Sequence, residues 1–168
     1  MELINTNLQT FEELINNDKF DFNYLSKNEN DTQDLAFSLC KFLKNSDIIV
    51  LNGELGSGKT SFMQGVAKYF NIQDQICSPT FTIVNEYTTS KHQNIFHFDV
   101  YRLNDEIEFL DQIGTDYFSK GISFIEWGDI IQNILPKNTI HIDISKDLNE
   151  SNTRHIHIWR QNYEHISS

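Results

Sequence analysis

An α/β fold around a mixed, mostly parallel sheet, with antiparallel strands added at one side, is the class that this sequence predicts. Three patterns support it. Residues 48–51 form a short apolar, β-branched run typical of a buried strand, and residues 61–70 carry apolar side chains at helical spacing. Near the end of the chain, residues 139–144 and 154–159 alternate apolar and polar side chains, which is typical of strands in a half-exposed antiparallel sheet.

The other elements follow from the same patterns. Residues 1–19 are polar and rich in Asn, and we predict an N-terminal appendage there, followed by a single domain over residues 20–168. Alternation or apolar stripes predict further strands at 20–25, 82–87, 95–101 and 122–126, a helix that runs through 35–43 and an acidic helix within 104–119.

Composition narrows the function classes. The chain has 168 residues, 39% hydrophobic and 22% charged, which suits one globular domain. It contains no apolar stretch of membrane-spanning length and no secretory signal at its start, so we expect a cytoplasmic protein without a membrane partner. The net charge of −11 should repel nucleic-acid phosphates. Cys40 and Cys77 are expected to be free thiols.

Residues 53–60 read Gly-Glu-Leu-Gly-Ser-Gly-Lys-Thr, a complete phosphate-binding loop (P-loop) of the form G-x-x-x-x-G-K-[ST]. Glycines allow backbone amides to surround phosphates, and the following helix adds its positive N-terminal end. Lys59 should contact the β- and γ-phosphates and the Thr60 hydroxyl should bind Mg²⁺. The loop makes the predicted fold a P-loop NTPase-like sandwich. The predicted nucleotide-binding residues are Glu54, Leu55, Gly56, Ser57, Gly58, Lys59, Thr60, Ser61 and Trp127.

A Mg²⁺-nucleotide site also needs a carboxylate at the end of a neighbouring strand. Asp99 and Glu126 each end a predicted strand, at the sheet edge where α/β proteins bind ligands. We assign Asp99 to the metal and Glu126 to the attacking water or the metal. The predicted metal ligands are therefore Thr60, Asp99 and Glu126.

Three further residues near these strands are less clearly defined by the sequence. Thr80, in a Ser-Pro-Thr segment, is expected to sense the γ-phosphate from a switch-like loop, which makes the catalytic set Lys59, Thr80, Asp99 and Glu126. His97 is expected to be a core histidine rather than a catalytic base. Arg102 is equally compatible with neutralising transition-state charge and with an ion pair to the acidic helix.

Four segments in this order resemble the bacterial TsaE (YjeE) ATPase family: residues 53–60, 78–87, 97–103 and 126–129. The resemblance implies an ATPase that uses Mg²⁺ and works with TsaB and TsaD in threonylcarbamoyladenosine modification of tRNA. In that family the partner TsaD performs the transfer, so contact with tRNA is expected to be indirect. The resemblance also implies a phosphate role for Lys59, a Mg²⁺ role for Thr60 and a switch role for Thr80. It makes Asp99 the Walker B acid and places Glu126 and Trp127 beside the nucleotide.

Three alternatives remain open at this stage. A small metabolite kinase would use the same loop, but the sequence shows no arginine-rich lid. A GTPase is suggested by the D-x-x-G spacing of residues 111–114, but this segment falls in a predicted helix and no N-K-x-D motif occurs. An assembly subunit in which ATP is a structural ligand fits the same residues.

Overall fold

The computed structural model describes residues 7–17, 19–79 and 81–160. Within these residues, four α-helices and two short 3₁₀ segments surround one seven-stranded sheet. The strands are β1 (Phe20–Ser26), β2 (Ile48–Asn52), β3 (Val84–Thr88), β4 (Asn94–Asp99), β5 (Ile122–Glu126), β6 (Ile140–Lys146) and β7 (Arg154–Arg160). The helices are α1 (Leu8–Leu14), α2 (Glu29–Cys40), α3 (Lys59–Phe70) and α4 (Glu106–Gln112), and the 3₁₀ segments are Asp116–Ser119 and Gly128–Ile134.

The strand order is β1-β7-β6-β2-β5-β4-β3. Strands β6, β2, β5 and β4 are mutually parallel, whereas β3 pairs antiparallel with β4, and β7 pairs antiparallel with both β6 and β1. The mixed α/β sheet confirms the predicted class. Antiparallel strands flank the parallel core on both sides rather than one, because short connections make hairpins of β3–β4 and β6–β7, and a hairpin forces antiparallel pairing.

Helices cover both faces of the parallel core. Strands β2 and β5 are buried almost throughout. One face packs against α2 and α3 in a cluster that includes Leu35, Phe62 and Phe124. The other face packs against α4 and the 3₁₀ segments in a cluster that includes Val50 and Phe109. Burial on two faces explains why these strands are continuous apolar runs rather than alternating ones.

Part of the N-terminal segment contributes to this core. Phe11 of α1 is fully buried, its ring centroid lies 5.0 Å from that of Phe22, and Ile15 belongs to the same cluster. At the surface, Lys41 Nζ lies 2.6 Å from Glu12 Oε1. Residues 1–6 and Asp18 lie outside the described part of the chain.

The structure sharpens several predicted boundaries. The acidic segment forms α4 only to Gln112, because Gly114 with φ of +76° ends the helix and a 3₁₀ turn follows. The D-x-x-G tetrapeptide of residues 111–114 therefore sits at a helix end. Helix α2 ends at Cys40, and Cys40 and Cys77 are both free thiols, as expected. None of the described helices has the length and apolarity needed to cross a membrane.

Candidate functional site

The glycine loop connects the end of β2 to the start of α3. Gly53 has φ of +157°, and a Cβ there would lie 2.3 Å from Ser57 Oγ and 2.6 Å from Ile144 O. Gly58, with φ of +119°, is the N-cap of α3 and offers no side chain to cap it. The first backbone amides of α3 are thus left for an anion, as at other helix N-termini.

Lys59 folds back into the concave side of the loop. Its side chain is almost fully buried, and Nζ donates to Gly53 O at 2.5 Å and to Glu54 O at 3.3 Å. The same atom lies 5.3 Å from the centroid of the Trp127 ring. An ammonium has three protons, so one remains for a ligand oxygen after the two carbonyl bonds.

Two cations from the β6–β7 hairpin hold the convex side of the loop. Arg154 Nε donates to Ser57 O at 2.7 Å, and Lys146 Nζ donates to Leu55 O at 3.2 Å. In a planar trans peptide the N–H points away from the C=O. These two bonds therefore turn the amides of Gly56 and Gly58 away from the hairpin cations.

The two predicted carboxylates are neighbours. Asp99 and Glu126 pair in register at the carboxyl ends of the parallel strands β4 and β5, and Glu126 also pairs with Leu51 of β2. Three strand ends therefore place both acids beside the glycine loop. This is the sheet edge at which the sequence predicted them, and parallel pairing brings them together.

Glu126 is buried and held by two donors. Ser78 Oγ lies 3.0 Å and His97 Nε2 lies 2.9 Å from Glu126 Oε1, so the hydrogen bonds from the described residues leave Oε2 for a ligand. Burial acts to raise the pKa of Glu126, but the bonds to His97 and Ser78 and the positive charge of Lys59 outweigh it and lower the pKa. Glu126 is an ionised carboxylate at neutral pH.

Asp99 has the opposite shift. Burial raises its pKa, the hydrogen bond from Tyr101 N to Oδ1 at 3.0 Å acts against this, and the nearby Glu126 charge raises the pKa further. Two carboxylates side by side repel each other unless a cation lies between or beside them. The pair thus supplies hard oxygen ligands of the kind that Mg²⁺ prefers.

Most of the other predicted residues surround the same site. Thr60 is exposed and Ser61 half-buried on the first turn of α3, while Glu54 and Leu55 are exposed at the loop tip. Trp127 directly follows Glu126 in the left-handed backbone region, and its ring centroid lies 5.0 Å from that of Tyr101. Thr80 lies outside the described residues, although its neighbour Ser78 contacts Glu126.

Sequence reasoning missed four contributors to this arrangement. His97 was correctly expected to be buried, but its bond to Glu126 was not foreseen, nor were the bonds of Ser78, Lys146 and Arg154. A signal existed for His97, because it lies two residues before Asp99 on one strand and therefore faces the same side of the sheet. No comparable signal existed for the hairpin cations, which are about 90 residues from the loop in sequence.

The fold and this site define a P-loop NTPase-like protein. The family model described as threonylcarbamoyl adenosine biosynthesis protein TsaE matches residues 26–156. The chain therefore belongs to the TsaE family, which is the family that its motifs resemble.

Individual relatives and one solved structure agree with this family. A "tRNA threonylcarbamoyladenosine biosynthesis protein TsaE" from Bacillus subtilis (strain 168) is 37% identical over 121 residues, covering 71% of this chain and 74% of the relative. Its namesake from Aquifex aeolicus (strain VF5) is 40% identical over 103 residues, covering 60% and 72%. The crystal structure of Bacillus subtilis YdiB superimposes with a TM-score of 0.69 at 27% identity, covering 84% of this chain and 86% of that one.

Proposed function

We propose that this chain is an ATP-binding and ATP-hydrolysing subunit that supports threonylcarbamoyladenosine formation in tRNA, in the cytoplasm. The modified base is adenosine 37, beside the anticodon, in tRNAs that read codons beginning with A. The chain itself acts on a complex of TsaB and TsaD homologues. Family membership supports the pathway. One observation carries the ATPase proposal. Lys59 of the glycine loop lies beside Asp99 and Glu126, which are paired residues at the ends of the parallel strands β4 and β5.

The residues present fit a Mg²⁺-bound triphosphate. The first amides of α3 have no side-chain cap, and the hydrogen bond from Arg154 to Ser57 O turns the Gly58 amide away from the hairpin. Mg²⁺ binds through one or two carboxylates plus substrate phosphates rather than an all-protein cage. Thr60, Asp99 and Glu126 would hold the ion, which supplies neutralisation of phosphate charge when bound.

The chain's own groups have distinct roles in this proposal. Lys59 binds phosphate oxygens with its remaining proton and its charge. Glu126 offers Oε2 to the attacking water or to the ion, and His97 and Ser78 are positioning residues because they fix Oε1. Thr80 remains the predicted γ-phosphate sensor, and Ser78 connects its loop to Glu126.

The surface charge supports an indirect role on tRNA. With a net charge of −11, the chain lacks the overall positive field that non-specific RNA binding requires. A partner protein would therefore hold the tRNA while this subunit uses nucleotide turnover to change the state of the complex.

A metabolite kinase is less well supported. Arg154 donates to the carbonyls of Ser57, Ser151 and Thr153. Arg102 lies 5.0 Å from the Phe81 ring centroid. The assembly-subunit alternative uses the same site and differs only in whether hydrolysis is required. A measurement of the ATP hydrolysis rate therefore distinguishes the assembly-subunit alternative from our proposal.

Phosphate release from Mg²⁺-ATP should be measured for the chain alone, with TsaB and TsaD, and with tRNA added. We expect phosphate release to be faster in the complex than from the chain alone. In the Lys59→Ala variant the rate should fall by about 10²–10³-fold, because a buried charged donor to the phosphates is removed. Lys120→Ala, a change at an exposed lysine outside the site, is the matched control.

The result separates the alternatives. Equal rates with and without partners would contradict partner-gated turnover. No release in any mixture, with tRNA modification intact and dependent on bound ATP, would favour ATP as a structural ligand.

A further inference from the structure

The antiparallel strands β1, β7 and β6 have one covered face and one open face. Their even-numbered apolar residues, such as Ile142 and Ile158, belong to the core cluster that packs against α2 and α3. Their odd-numbered residues point to the other side of the sheet and are all half-buried or exposed. We call these odd-numbered residues the open face. The cations of the three strands, Lys146, Arg154 and Arg160, have even numbers, so the open face carries neither Lys nor Arg.

Aromatic rings stack on the open face. The Trp159 ring lies between two imidazoles: its centroid is 5.0 Å from that of His141, at an interplanar angle of 17°, and 4.5 Å from that of His157, at 20°. His141 is opposite Trp159 on β6, and His157 lies two residues before it on β7. The next residue of the open face along β7 is a further ring, His155.

A cavity of about 280 Å³ lies where this stack ends, with His155 and His157 in its wall. Residues two apart on a strand are separated by about 6.6–6.8 Å, which is close to two contact distances of about 3.5 Å. One planar group therefore fits between the two imidazoles. The cavity is smaller than the usual small-molecule site of about 300–1,000 Å³, so its size suits a single side chain.

The rest of the wall offers hydrogen-bond acceptors. Asp143 and Asn23 pair with His157 from the two neighbouring strands, and Ser145 adds a hydroxyl. Asp143 Oδ1 accepts from Asn52 Nδ2 at 3.0 Å, so the hydrogen bonds of the described residues leave Oδ2 for a ligand. The wall thus combines one carboxylate oxygen, further acceptors and two ring systems.

We propose that this cavity, which we call the imidazole cavity, binds an arginine side chain of a partner protein. A guanidinium is planar, stacks on aromatic rings and presents a fork of N–H donors that matches a carboxylate, whereas the ammonium of lysine is a point charge. The inference goes beyond the proposed function, because the cavity lies on the open face and none of its residues belongs to the glycine loop.

Charge complementarity supports a cation as the occupant. Besides Asp143 in the wall, Asp21 Oδ1 lies 2.9 Å from His157 Nε2 and Asp147 Oδ2 lies 2.8 Å from His155 Nε2. These two contacts hold the imidazoles in place and add negative charge on both sides of the cavity. The same charge would repel the phosphates of a nucleic acid, so a protein is the better partner.

The arginines of this chain have other contacts. Arg154 and Arg160 donate to backbone carbonyls of their own chain, from the covered side of β7. Arg102 lies 5.0 Å from the ring centroid of Phe81. The occupant is therefore expected to come from another protein.

The test titrates the ¹⁵N-labelled full chain with a capped tetra-arginine peptide and with a capped tetra-lysine peptide, followed by NMR. Asp143→Asn removes the carboxylate charge and keeps the shape, and Ser145→Phe fills the cavity. Asp74→Asn, at an exposed acid outside the open face, and Thr88→Phe, at an exposed position on the edge strand β3, are the matched controls.

We expect the wild type to bind tetra-arginine about tenfold more tightly than tetra-lysine, with the largest resonance shifts at His155 and His157. Asp143→Asn and Ser145→Phe should each raise the Kd for tetra-arginine about tenfold. Both controls should stay within about twofold of the wild type. The spectra also report whether each variant is folded.

Several results would overturn the inference. Equal affinity for the two peptides would show only the general attraction of an acidic chain for cations, and so would cavity variants that retain wild-type affinity. An absence of binding, or shifts confined to the glycine loop, would exclude the imidazole cavity as the site. The same shifts on concentrating the protein alone would make a second copy the occupant, and tighter binding of single-stranded RNA there would make it a nucleic acid. Phosphate release is measured separately, so none of these results decides the proposed function.

Discussion

The two halves of the sheet are built differently and contribute differently to the site. The central parallel strands β2 and β5 are buried along nearly their whole length, whereas β1, β6 and β7 largely alternate between buried and partly buried residues. The parallel half supplies the loop lysine and the two acids through its strand ends. The β6–β7 hairpin, whose strand β6 pairs parallel with β2 and antiparallel with β7, supplies Lys146 and Arg154, which contact the outside of the same loop.

This difference separates reactive groups from supporting groups. Parallel strands in register must end at one edge, so their last residues converge without any special contact. The antiparallel hairpin reaches the loop only because its own turn lies at that edge, and it acts through backbone carbonyls. We therefore expect changes in the parallel half to be the more costly for stability, and changes in the hairpin to act mainly on loop geometry.

The largest expected effect is on the parallel core. Phe124 in β5 is fully buried between strands and helices, and Phe124→Ala should lower the free energy of unfolding by about 3–5 kcal/mol because it removes buried area and leaves a cavity. Urea denaturation followed by circular dichroism measures this. A loss below about 1 kcal/mol, the range of a surface change, would show that the parallel core is not the more sensitive half.

The second-largest expected effect is on the contact between the β6–β7 hairpin and the glycine loop. Arg154→Met removes the donor to Ser57 O, so we expect a loss of about 1.5–3 kcal/mol in stability and weaker binding of both ATP and inorganic tripolyphosphate. Lys91→Met, on the exposed turn of the other hairpin, is the control. Unchanged tripolyphosphate affinity in Arg154→Met would refute a role for the hairpin in loop geometry.

The third effect depends on pH. Because the folded pKa of Glu126 is below its ordinary value of 4.5, its ionisation stabilises the fold above that pH, and this contribution is lost as pH falls through the lower folded pKa. Glu126→Gln should therefore be less stable than the wild type near pH 7, by on the order of 1 kcal/mol, with the gap closing in acid. Urea midpoints from pH 7 to pH 3 measure it; a gap that widens in acid would reverse the sign of the shift.

The smallest effect lies at the antiparallel edge. Asp21 Oδ1 is 2.9 Å from His157 Nε2, with side chains 67% and 35% exposed. Asp21→Asn should change stability by less than about 0.5 kcal/mol, because solvent screens exposed ion pairs. A thermal scan at low and high salt checks this, and a loss as large as that of Arg154→Met would remove the contrast between supporting contacts and surface contacts.

Sequence reasoning succeeded where a local pattern carried the information. The spacing of the glycines, Lys59 and Thr60 in residues 53–60 is specific to phosphate-binding loops. The strands ending at Asp99 and Glu126 were recognisable as apolar runs. It failed at the C-terminal end of α4 and in placing the antiparallel strands on one side of the sheet only, because a helix end and the order of strands depend on the surrounding fold. The N-terminal helix shows the same limit, since Phe11 is isolated in sequence but fully buried in the core.

The sequence by itself determined the chemistry available to this protein: a phosphate loop, its lysine and hydroxyl, and two acids at strand ends, because each is written in contiguous residues. Only the tertiary structure decided how those groups are held. The bonds from His97 and Ser78 to Glu126 and those from the hairpin cations to the loop join segments that lie from 29 to 97 residues apart. Strand order brings such segments together, and strand order is set by the packing of the whole sheet rather than by any local pattern.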